Sequence, residues 1–240
     1  MAEVELELDG GLAIITIDRP HARNAIAPST MDELDKALDE AADARALAIT
    51  GAGDRAFVSG GDLKELAALR TEEQAMDMAL RMRGVCDRIA AFPGPVVAAL
   101  NGHALGGGAE VAVAADIRVA ADDIRIGFNQ VALAIMPAWG GAERLAALVG
   151  RGRALMLAGS GSVLDAAEAE RLGLVDRVLP RESFEEGWRS LARSLANGSS
   201  RSIKHVMGGV SADEAARAFA RLWVADEHWE AAERVMNRGR

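Results

Sequence analysis

The sequence predicts an α/β fold that ends in a purely helical region. Short apolar runs of strand length, such as 46–50 and 96–100, alternate with longer segments in which apolar residues recur at helical spacing. Strands that alternate with helices in this way are typical of repeated β–β–α or β–α units around one core. Beyond Pro180 only helical signals remain. We therefore predict a core over residues 1–180 and a helical region over 181–240.

The first elements are predicted to be a β-hairpin and an amphipathic helix. Alternating apolar residues over 4–8 lead into a turn at 9–11 and then into a second apolar run. The segment 28–42 carries an apolar stripe at helical spacing. A helix is therefore predicted over 28–42, with Thr30 and Glu33 at the three-residue separation of a capping box.

The middle of the chain is predicted to continue the alternation of strands and helices. A helical pattern covers 71–91 and stops at Pro93-Gly94-Pro95, a sequence that does not continue a helix. Further strands are predicted at 117–120, 124–126 and 174–179, and further helices from 106 onward and at 142–149, 153–157 and 165–173.

The helical region contains two candidate capping boxes, each a serine followed three residues later by a glutamate: Ser183 with Glu186 and Ser211 with Glu214. A further helix is predicted over 202–207. The stretch 221–229 predicts an amphipathic helix with large apolar side chains, which is more typical of a subunit interface than of a ligand site.

Composition narrows the class of protein and its partners. The 240 residues carry a net charge of −9, which argues against nucleic acid or an anionic membrane surface as the main partner. Cys86 is the single cysteine, so no intramolecular disulfide is possible and a reducing compartment is expected. The first ten residues lack the basic and apolar stretches of a signal peptide, and the longest apolar-rich stretch, 95–105, is too short to span a bilayer. We predict a cytoplasmic protein.

Several common catalytic motifs are absent from the sequence. It contains no G-x-G-x-x-G, no Walker A loop, no G-x-S-x-G and no H-E-x-x-H. The four histidines show no metal-ligand spacing, so no metal site is predicted. These absences disfavour classical dinucleotide-binding, P-loop, serine-hydrolase and zinc-protease functions.

Two glycine-rich turns are the strongest candidates for a functional site. The turn at 59–62 and the turn at 106–108 each lie between a predicted strand and a predicted helix. Glycine at a helix N-terminus lets a ligand approach backbone N–H groups that have no partner within the helix. Two such turns that face each other would form an oxyanion hole, and Glu110 follows the second turn as an acid–base candidate.

Seven segments of the chain have the order and spacing of a known family: Arg19-Pro20 with Arg23-Asn24-Ala25, residues 56–65, residues 95–110, Asp116-Ile117-Arg118, Pro137 with Gly140-Gly141, Arg144-Leu145, and residues 169–175. Through them the chain resembles the crotonase (enoyl-CoA hydratase/isomerase) superfamily over essentially its whole length. The resemblance implies a spiral of ββα units and a C-terminal helical region that packs subunits into trimers or dimers of trimers. It also implies an acyl-CoA substrate and no tightly bound cofactor.

The resemblance also assigns roles to individual residues. Gly61 and Gly107 would supply the two oxyanion N–H groups, and Glu110 matches the first catalytic glutamate of the hydratases. The coenzyme A channel would be bordered by Arg23, Ala25, Asp62, Leu63 and Lys64. The apolar acyl site would be formed by Phe128, Val131, Met136 and Trp139.

The chain departs from the hydratase pattern at Gln130. The second hydratase glutamate lies seven residues before the proline that is Pro137 here, and this chain has glutamine at that position. Glutamine holds a water by hydrogen bonds but does not exchange a proton at neutral pH. Glu110 would then serve both proton transfers of hydration, or the reaction needs fewer of them.

These considerations leave one leading hypothesis and three alternatives. The leading hypothesis is an enoyl-CoA hydratase-like lyase. Decarboxylation of a malonyl-type thioester and isomerisation of an enoyl-CoA double bond are alternatives on the same scaffold. The run from Pro137 to Gly141 includes Trp139 and is similar to one found in family members that decarboxylate alkylmalonyl-CoA. A non-catalytic acyl-CoA-binding subunit is the third alternative.

Overall fold

The structure is a computed structural model that describes residues 2–237. Its strands are Val4–Asp9 (β1), Leu12–Ile17 (β2), Ala46–Gly51 (β3), Ala56–Val58 (β4), Val96–Leu100 (β5), His103–Leu105 (β6), Ile117–Ala121 (β7), Arg125–Gly127 (β8), Val163–Asp165 (β9) and Arg177–Leu179 (β10). Its helices are Pro28–Glu40 (α1), Leu63–Leu66 (α2), Glu72–Ala90 (α3), Gly107–Ala112 (α4), Gly141–Val149 (α5), Arg151–Ser160 (α6), Ala166–Arg171 (α7), Phe184–Leu195 (α8), Gly198–Met207 (α9), Ala212–Trp223 (α10) and Asp226–Asn237 (α11). Three short 3₁₀ helices lie at Pro20–Ala22, Asn129–Leu133 and Arg181–Ser183.

A six-stranded sheet forms the centre of the core, in the order β1-β2-β3-β5-β7-β10. β1 and β2 are antiparallel, as expected for the predicted hairpin, and every later pairing in this sheet is parallel. All residues of β3 and β5 are buried. Continuous apolar runs in these strands are therefore explained by burial on both faces.

A second, four-stranded sheet has the order β4-β6-β8-β9. The chain enters the large sheet with β3, β5 and β7 and each time passes directly into the small sheet with β4, β6 and β8. The first two of these strand pairs are followed by helices. This alternation is the spiral of ββα units that the family resemblance implied, and the α/β fold class is confirmed.

The strands of the small sheet are the elements that the sequence analysis missed most clearly. β4, β6 and β9 have three residues each. A run of three residues is too short to show an alternating pattern, and such strands are defined by their pairing partners rather than by local sequence. The predicted strand over 174–179 is also shorter, because only Arg177–Leu179 pairs with β7.

The predicted start of α1 at residue 28 is confirmed, but the predicted capping box of Thr30 with Glu33 is wrong. The helix begins at Pro28, and Thr30 occupies its third position, where its hydroxyl accepts a hydrogen bond from the Ala27 N–H at 3.1 Å. Glu33 instead accepts the N–H groups of Glu3 and Val4 at 2.7 and 2.9 Å. Glu33 thus joins α1 to the first strand rather than capping the helix.

The long helix α3 is predicted to begin at residue 71 but begins at Glu72, because Thr71 is its N-cap residue. Thr71 accepts the Gln74 N–H at 3.2 Å, and the Gln74 side chain accepts the Thr71 N–H at 3.2 Å. Only the second half of the helix is buried in the core, and Cys86 lies there with no exposed surface. Burial raises the pKa of the Cys86 thiol to about 12, so Cys86 is suited to a place in the core rather than to the role of a nucleophile.

The region after Pro180 is helical, as predicted, and contains α8 to α11. Ser211 caps α10 by accepting the Glu214 N–H at 3.2 Å, whereas Ser183 makes no capping hydrogen bond to α8, so that predicted box is wrong. The single helix predicted over 221–229 is also wrong, because α10 ends at Trp223 and α11 begins at Asp226.

A buried arginine, Arg118, is held by hydrogen bonds inside the core. Arg118 is 2% exposed and donates to the carbonyl oxygens of Leu174 and Ala115 at 2.8 and 2.9 Å, and to Asp176 at 2.5 Å. Across residues 2–237, no helix combines the length and the apolar character needed to cross a membrane, and no group of three His, Cys, Asp or Glu residues is placed to bind a metal ion.

Candidate active site

The two glycine-rich turns lie side by side. β4 and β6 pair in parallel, so the turns that follow them leave the same edge of the small sheet. A methyl group on Gly60 would lie 3.3 Å from the backbone nitrogen of Gly107, and one on Gly108 would overlap the Val58 carbonyl oxygen. Gly60 and Gly106 also have φ angles of 99° and 57°, which favour glycine. The close approach of the turns therefore depends on glycine.

The turns present two backbone N–H groups without protein acceptors. Gly61 lies opposite Ile26 in a β-bridge. The two hydrogen bonds of this bridge join Ile26 to the Gly60 carbonyl oxygen and to the Asp62 N–H, so the Gly61 N–H takes no part in it. Gly107 is the first residue of α4, where an N–H group has no acceptor within the helix. Within the described range 2–237, neither the Gly61 nor the Gly107 N–H donates to a protein atom. Two such donors on adjacent turns can stabilise negative charge on a ligand oxygen.

Glu110 lies on α4, one helical turn after Gly107, and is 2% exposed. Its Oε1 accepts from Gln130 Nε2 at 2.9 Å and from the Ala138 N–H at 3.3 Å. Its Oε2 accepts from the Trp139 and Gly141 N–H groups at 2.7 and 2.9 Å. Four donors around one carboxyl group favour its ionised form and fix its orientation.

The pKa of Glu110 reflects two opposing effects. Burial removes the carboxylate from water and raises its pKa, whereas the hydrogen bonds from Gly141, Trp139, Gln130 and Ala138 lower it. Burial has the larger effect, so the pKa of Glu110 lies above the usual glutamate value. A raised carboxyl pKa in a site of this kind suits a group that both takes and returns a proton.

Gln130 connects Glu110 to the 3₁₀ helix Asn129–Leu133. Its side chain is buried, and its amide nitrogen donates to Glu110. In the part of the chain that the structure describes, its amide oxygen is buried and has no hydrogen-bond partner. A buried acceptor without a partner is costly, so this atom is suited to bind a water or a ligand hydroxyl.

The Trp139 indole packs against both glycines of the proposed oxyanion hole. A methyl group on Gly107 would overlap its six-membered ring, and one on Gly61 would lie 3.7 Å from Cζ2 of the same ring. Trp139 is 6% exposed. The backbone N–H of Trp139 donates to Glu110, and its backbone carbonyl oxygen accepts from Arg144 Nη1 at 3.1 Å. One residue therefore contacts both predicted oxyanion donors and the predicted acid–base group.

The two segments predicted to border a coenzyme A channel are joined by hydrogen bonds. The Ile26 N–H donates to the Gly60 carbonyl oxygen, and the Asp62 N–H donates to the Ile26 carbonyl oxygen, both at 2.8 Å. Arg23 is exposed and has a φ angle of 54°, whereas Ala25 is buried.

Asp62 acts mainly as a structural link between these segments. Its carboxylate caps α2 by accepting the Lys64 N–H at 3.1 Å and also accepts from Arg19 at 3.0 Å. Leu63 and Lys64 are exposed on the surface that follows. The structure thus joins the two segments that carry the five residues of the predicted channel, and Arg23, Leu63 and Lys64 are exposed.

The four residues predicted to line the acyl site divide into two groups. Phe128 and Trp139 are buried, whereas Val131 and Met136 are exposed by 43% and 71%. Val131 lies toward the end of α6, where a methyl group on Gly161 would lie 2.8 Å from its Cγ1. Within this chain, only the first pair lies in an enclosed environment.

A cavity of about 680 Å³ adjoins the site without including the Glu110 carboxyl group. It is lined by Arg23, Asp54, Arg55, Ala56, Ser59, His103, Leu105, Asp123, Ile124 and Arg181. His103 is exposed there, and its Nδ1 accepts the Arg125 N–H at 3.1 Å, a contact that joins β6 to β8.

Sequence reasoning missed the backbone contribution of residues 138–141 and the contribution of Leu66. The N–H groups of Ala138, Trp139 and Gly141 surround Glu110, and a methyl group on Gly61 would lie 2.9 Å from Leu66 Cδ1. The sequence signal was the Gly140-Gly141 pair, which indicates a tight turn. Its position beside Glu110 depends on contacts between residues about 30 positions apart.

Comparison with known proteins gives a consistent result. Residues 7–228 match the family model described as enoyl-CoA hydratase/isomerase. The chain is 36% identical over 204 residues to a short-chain-enoyl-CoA hydratase of Clostridium acetobutylicum, covering 84% of this chain and 78% of that protein. It is 40% identical over 197 residues to a crotonyl-CoA hydratase of Syntrophomonas wolfei, covering 80% and 75%.

Solved structures show the same similarity over nearly the full length of both chains. The crystal structure of an enoyl-CoA hydratase from Bacillus anthracis matches with a TM-score of 0.91 at 30% identity and covers 98% of this chain and 96% of that one. The enoyl-CoA hydratase from Thermoplasma volcanium matches with a TM-score of 0.87 at 33% identity and covers 98% and 97%.

Proposed function

Because the chain belongs to the enoyl-CoA hydratase/isomerase family, we propose that it adds water across the double bond of a 2-enoyl-CoA. The position of Glu110 carries this proposal. It is a buried carboxylate one helical turn after Gly107, and it is hydrogen-bonded to Gln130 at the second catalytic position of the family pattern. In the proposed complex the thioester oxygen accepts hydrogen bonds from the Gly61 and Gly107 N–H groups.

Glu110 carries out both proton transfers in this proposal. It takes a proton from water as the water oxygen bonds to C3, and the electrons of the double bond move to the thioester as an enolate. Glu110 then returns the proton to C2, which completes a 3-hydroxyacyl-CoA. The longest hydrogen bond to its Oε1 is the 3.3 Å contact from Ala138, so this is the contact that the water replaces at the least cost.

Gln130 positions the water rather than exchanging a proton with it. Its amide nitrogen is held by Glu110 at 2.9 Å, which leaves the amide oxygen as an acceptor for one O–H of the water. The other O–H of the water then points to Glu110. This arrangement accounts for a glutamine at a position where the hydratases have glutamate.

The coenzyme A part of the substrate is proposed to lie along Arg23, Ala25, Asp62, Leu63 and Lys64. The joined backbone of these two segments supports this position, and the exposed Arg23 and Lys64 side chains offer positive charge to its phosphates. We propose no tightly bound cofactor. We also propose a homo-oligomer, a trimer or a dimer of trimers, assembled in part through the exposed apolar side chains of the helical region.

A turnover screen by mass spectrometry tests the reaction. The purified protein is offered crotonyl-CoA, longer 2-enoyl-CoAs, 3-enoyl-CoAs, and methyl- and ethylmalonyl-CoA. We expect a gain of one water on a 2-enoyl-CoA and its loss in Glu110→Gln, with thermal unfolding used to show that the variant is folded. Hydration that persists at the wild-type rate in Glu110→Gln would contradict the role of Glu110.

Decarboxylation of a malonyl-type acyl-CoA is a second candidate, favoured by the hydrogen bonding of Glu110. Four protein donors occupy the oxygen lone pairs that a base would use, and the neighbouring position 130 is an amide. Decarboxylation needs no base, because the bond to the carboxylate breaks, CO₂ leaves, and its electrons form the enolate held by Gly61 and Gly107. Loss of CO₂ from a malonyl-type acyl-CoA in the screen would identify the protein as a decarboxylase rather than a hydratase.

Two other results of the screen would lead to different functions. A shifted double bond without a change in mass would identify an isomerase. Binding of acyl-CoA without conversion of any thioester would identify a non-catalytic acyl-CoA-binding subunit.

A further inference from the structure

We infer that Trp139 limits the acyl group of the substrate to a short chain. This inference rests on the proposed function in one respect, namely that the thioester oxygen binds at the Gly61 and Gly107 N–H groups. It adds the substrate class and the residue that selects it.

The first observation is the position of the indole ring. Atoms Cζ3, Cη2 and Cε3 of Trp139 occupy the space in which a side chain on Gly107 would begin, and Cζ2 and Cη2 lie 3.7 and 3.9 Å from a methyl group placed on Gly61. The same six-membered ring therefore borders both donors. An acyl chain whose carbonyl oxygen lies between these donors must leave the carbonyl carbon through space that this ring borders.

The second observation is a further apolar side chain beside Gly61. A methyl group on Gly61 would lie 2.9 Å from Leu66 Cδ1, and Leu66 is half-buried. Leu66 and the indole together leave little room around Gly61. A long acyl chain that passes Gly61 would therefore meet one of these two side chains.

The third observation is that hydrogen bonds hold the backbone of Trp139 in place. The Trp139 N–H donates to Glu110 at 2.7 Å, and its carbonyl oxygen accepts from Arg144, which also contacts Asp87 at 2.5 Å. Rotation of the whole residue away from the glycines would break the hydrogen bond to the proposed catalytic carboxylate. These contacts fix the backbone of Trp139, and burial of the ring against Gly61 and Gly107 restricts its rotation, so the ring discriminates chain length by steric exclusion.

Binding measurements test this inference without requiring turnover. Butyryl-CoA and decanoyl-CoA, which lack the reacting double bond, are titrated calorimetrically into wild type, Trp139→Phe, Trp139→Ala and Met76→Ala. Met76 is an exposed apolar residue of α3 and serves as the control. We expect wild type and Met76→Ala to bind butyryl-CoA at least tenfold more tightly than decanoyl-CoA. We expect Trp139→Ala to reduce that ratio at least tenfold and Trp139→Phe to reduce it by less.

The outcomes separate this inference from the proposed function. An unchanged ratio in folded Trp139→Ala, or in Trp139→Phe if the alanine variant does not fold, would overturn the inference even if the enzyme hydrates enoyl-CoAs. A shifted ratio in a protein that hydrates nothing would leave the inference standing and remove the proposed reaction. The intrinsic fluorescence of Trp139 gives a second readout, because butyryl-CoA should change the emission of wild type but not that of Trp139→Phe.

Discussion

Glu110 and Gln130 form the only pair of side chains in the site that the proposed mechanism requires to act together. Their hydrogen bond of 2.9 Å joins a carboxylate, whose pKa is raised by burial, to an amide that does not titrate. As a base, Glu110 must be ionised in the free enzyme. Activity should therefore be lost as the pH falls through a pKa that lies above the ordinary glutamate value of about 4.3.

Gln130→Glu should convert this arrangement into a two-carboxylate site. A general acid at this position is expected to raise kcat/KM for hydration at least tenfold, because general acid catalysis usually contributes about 10²–10⁴. Two adjacent carboxyl groups also titrate as a pair. The variant should thus show an alkaline limb in its pH profile that wild type lacks, because loss of the second proton removes the acid.

Steady-state rates over a range of pH measure both effects, and Gln74→Glu is the matched control. Gln74 is exposed on α3, so its variant adds the same charge away from the site and should leave the profile unchanged. Wild-type rates and an unaltered profile in Gln130→Glu would show that residue 130 does not take the place of the second catalytic carboxylate.

At the scale of elements, the site depends on how closely β4 approaches the start of α4. Gly108→Ala should strongly destabilise the protein, because the new methyl group would overlap the Val58 carbonyl oxygen and force the two turns apart. We expect a loss of about 3 kcal/mol or more in the free energy of unfolding, at the upper end of the usual range for point mutations. Urea denaturation followed by circular dichroism measures it.

Gly84→Ala is the control for this prediction. Gly84 is an exposed residue within α3, and a methyl group placed on it has no neighbour within 4 Å. Alanine is favoured over glycine inside a helix by about 0.5–1 kcal/mol, so this variant should be slightly more stable than wild type. Equal stabilities for the two alanine variants would mean that the turns tolerate separation.

At the scale of the whole molecule, the helical region exposes large apolar side chains on neighbouring helices. Phe219, Trp223 and Val224 are exposed by 61%, 46% and 73%, and the rings of Phe219 and Trp223 lie 5.6 Å apart. Trp229 on α11 joins the same group, with its ring 5.6 Å from that of Trp223. Contiguous apolar surface of this kind is typical of a protein interface.

The proposed oligomer gives a direct prediction for this surface. Wild type should sediment as a trimer or hexamer. The double change Phe219→Glu and Val224→Glu should lower the mass, since a buried aromatic anchor such as Phe219 contributes about 2 kcal/mol or more and unpaired carboxylates are costly to bury in an apolar interface. Analytical ultracentrifugation measures the mass. Leu8→Glu, a change at an isolated exposed residue of β1, should retain the wild-type mass. A monomeric wild type would contradict the prediction.

Local sequence determined the features that depend on neighbouring residues. The sequence predicted the apolar stripe of α1, the buried runs of β3 and β5 and the two glycine turns. Helical periodicity, continuous apolar runs and glycine positions can all be recognised within short segments. The family resemblance then identified the fold and suggested roles for the residues of these turns. It also identified Gln130 as the departure from the hydratase pattern.

Tertiary structure alone decided the features that depend on distant residues. The three-residue strands β4, β6 and β9 exist only as partners in a sheet, and no short pattern encodes them. The four donors around Glu110 come from positions 20 to 31 residues further along the chain. The contact of Trp139 with Gly61 and Gly107 likewise joins three separate loops. Such contacts are made by packing between segments, so spacing along the sequence cannot specify them.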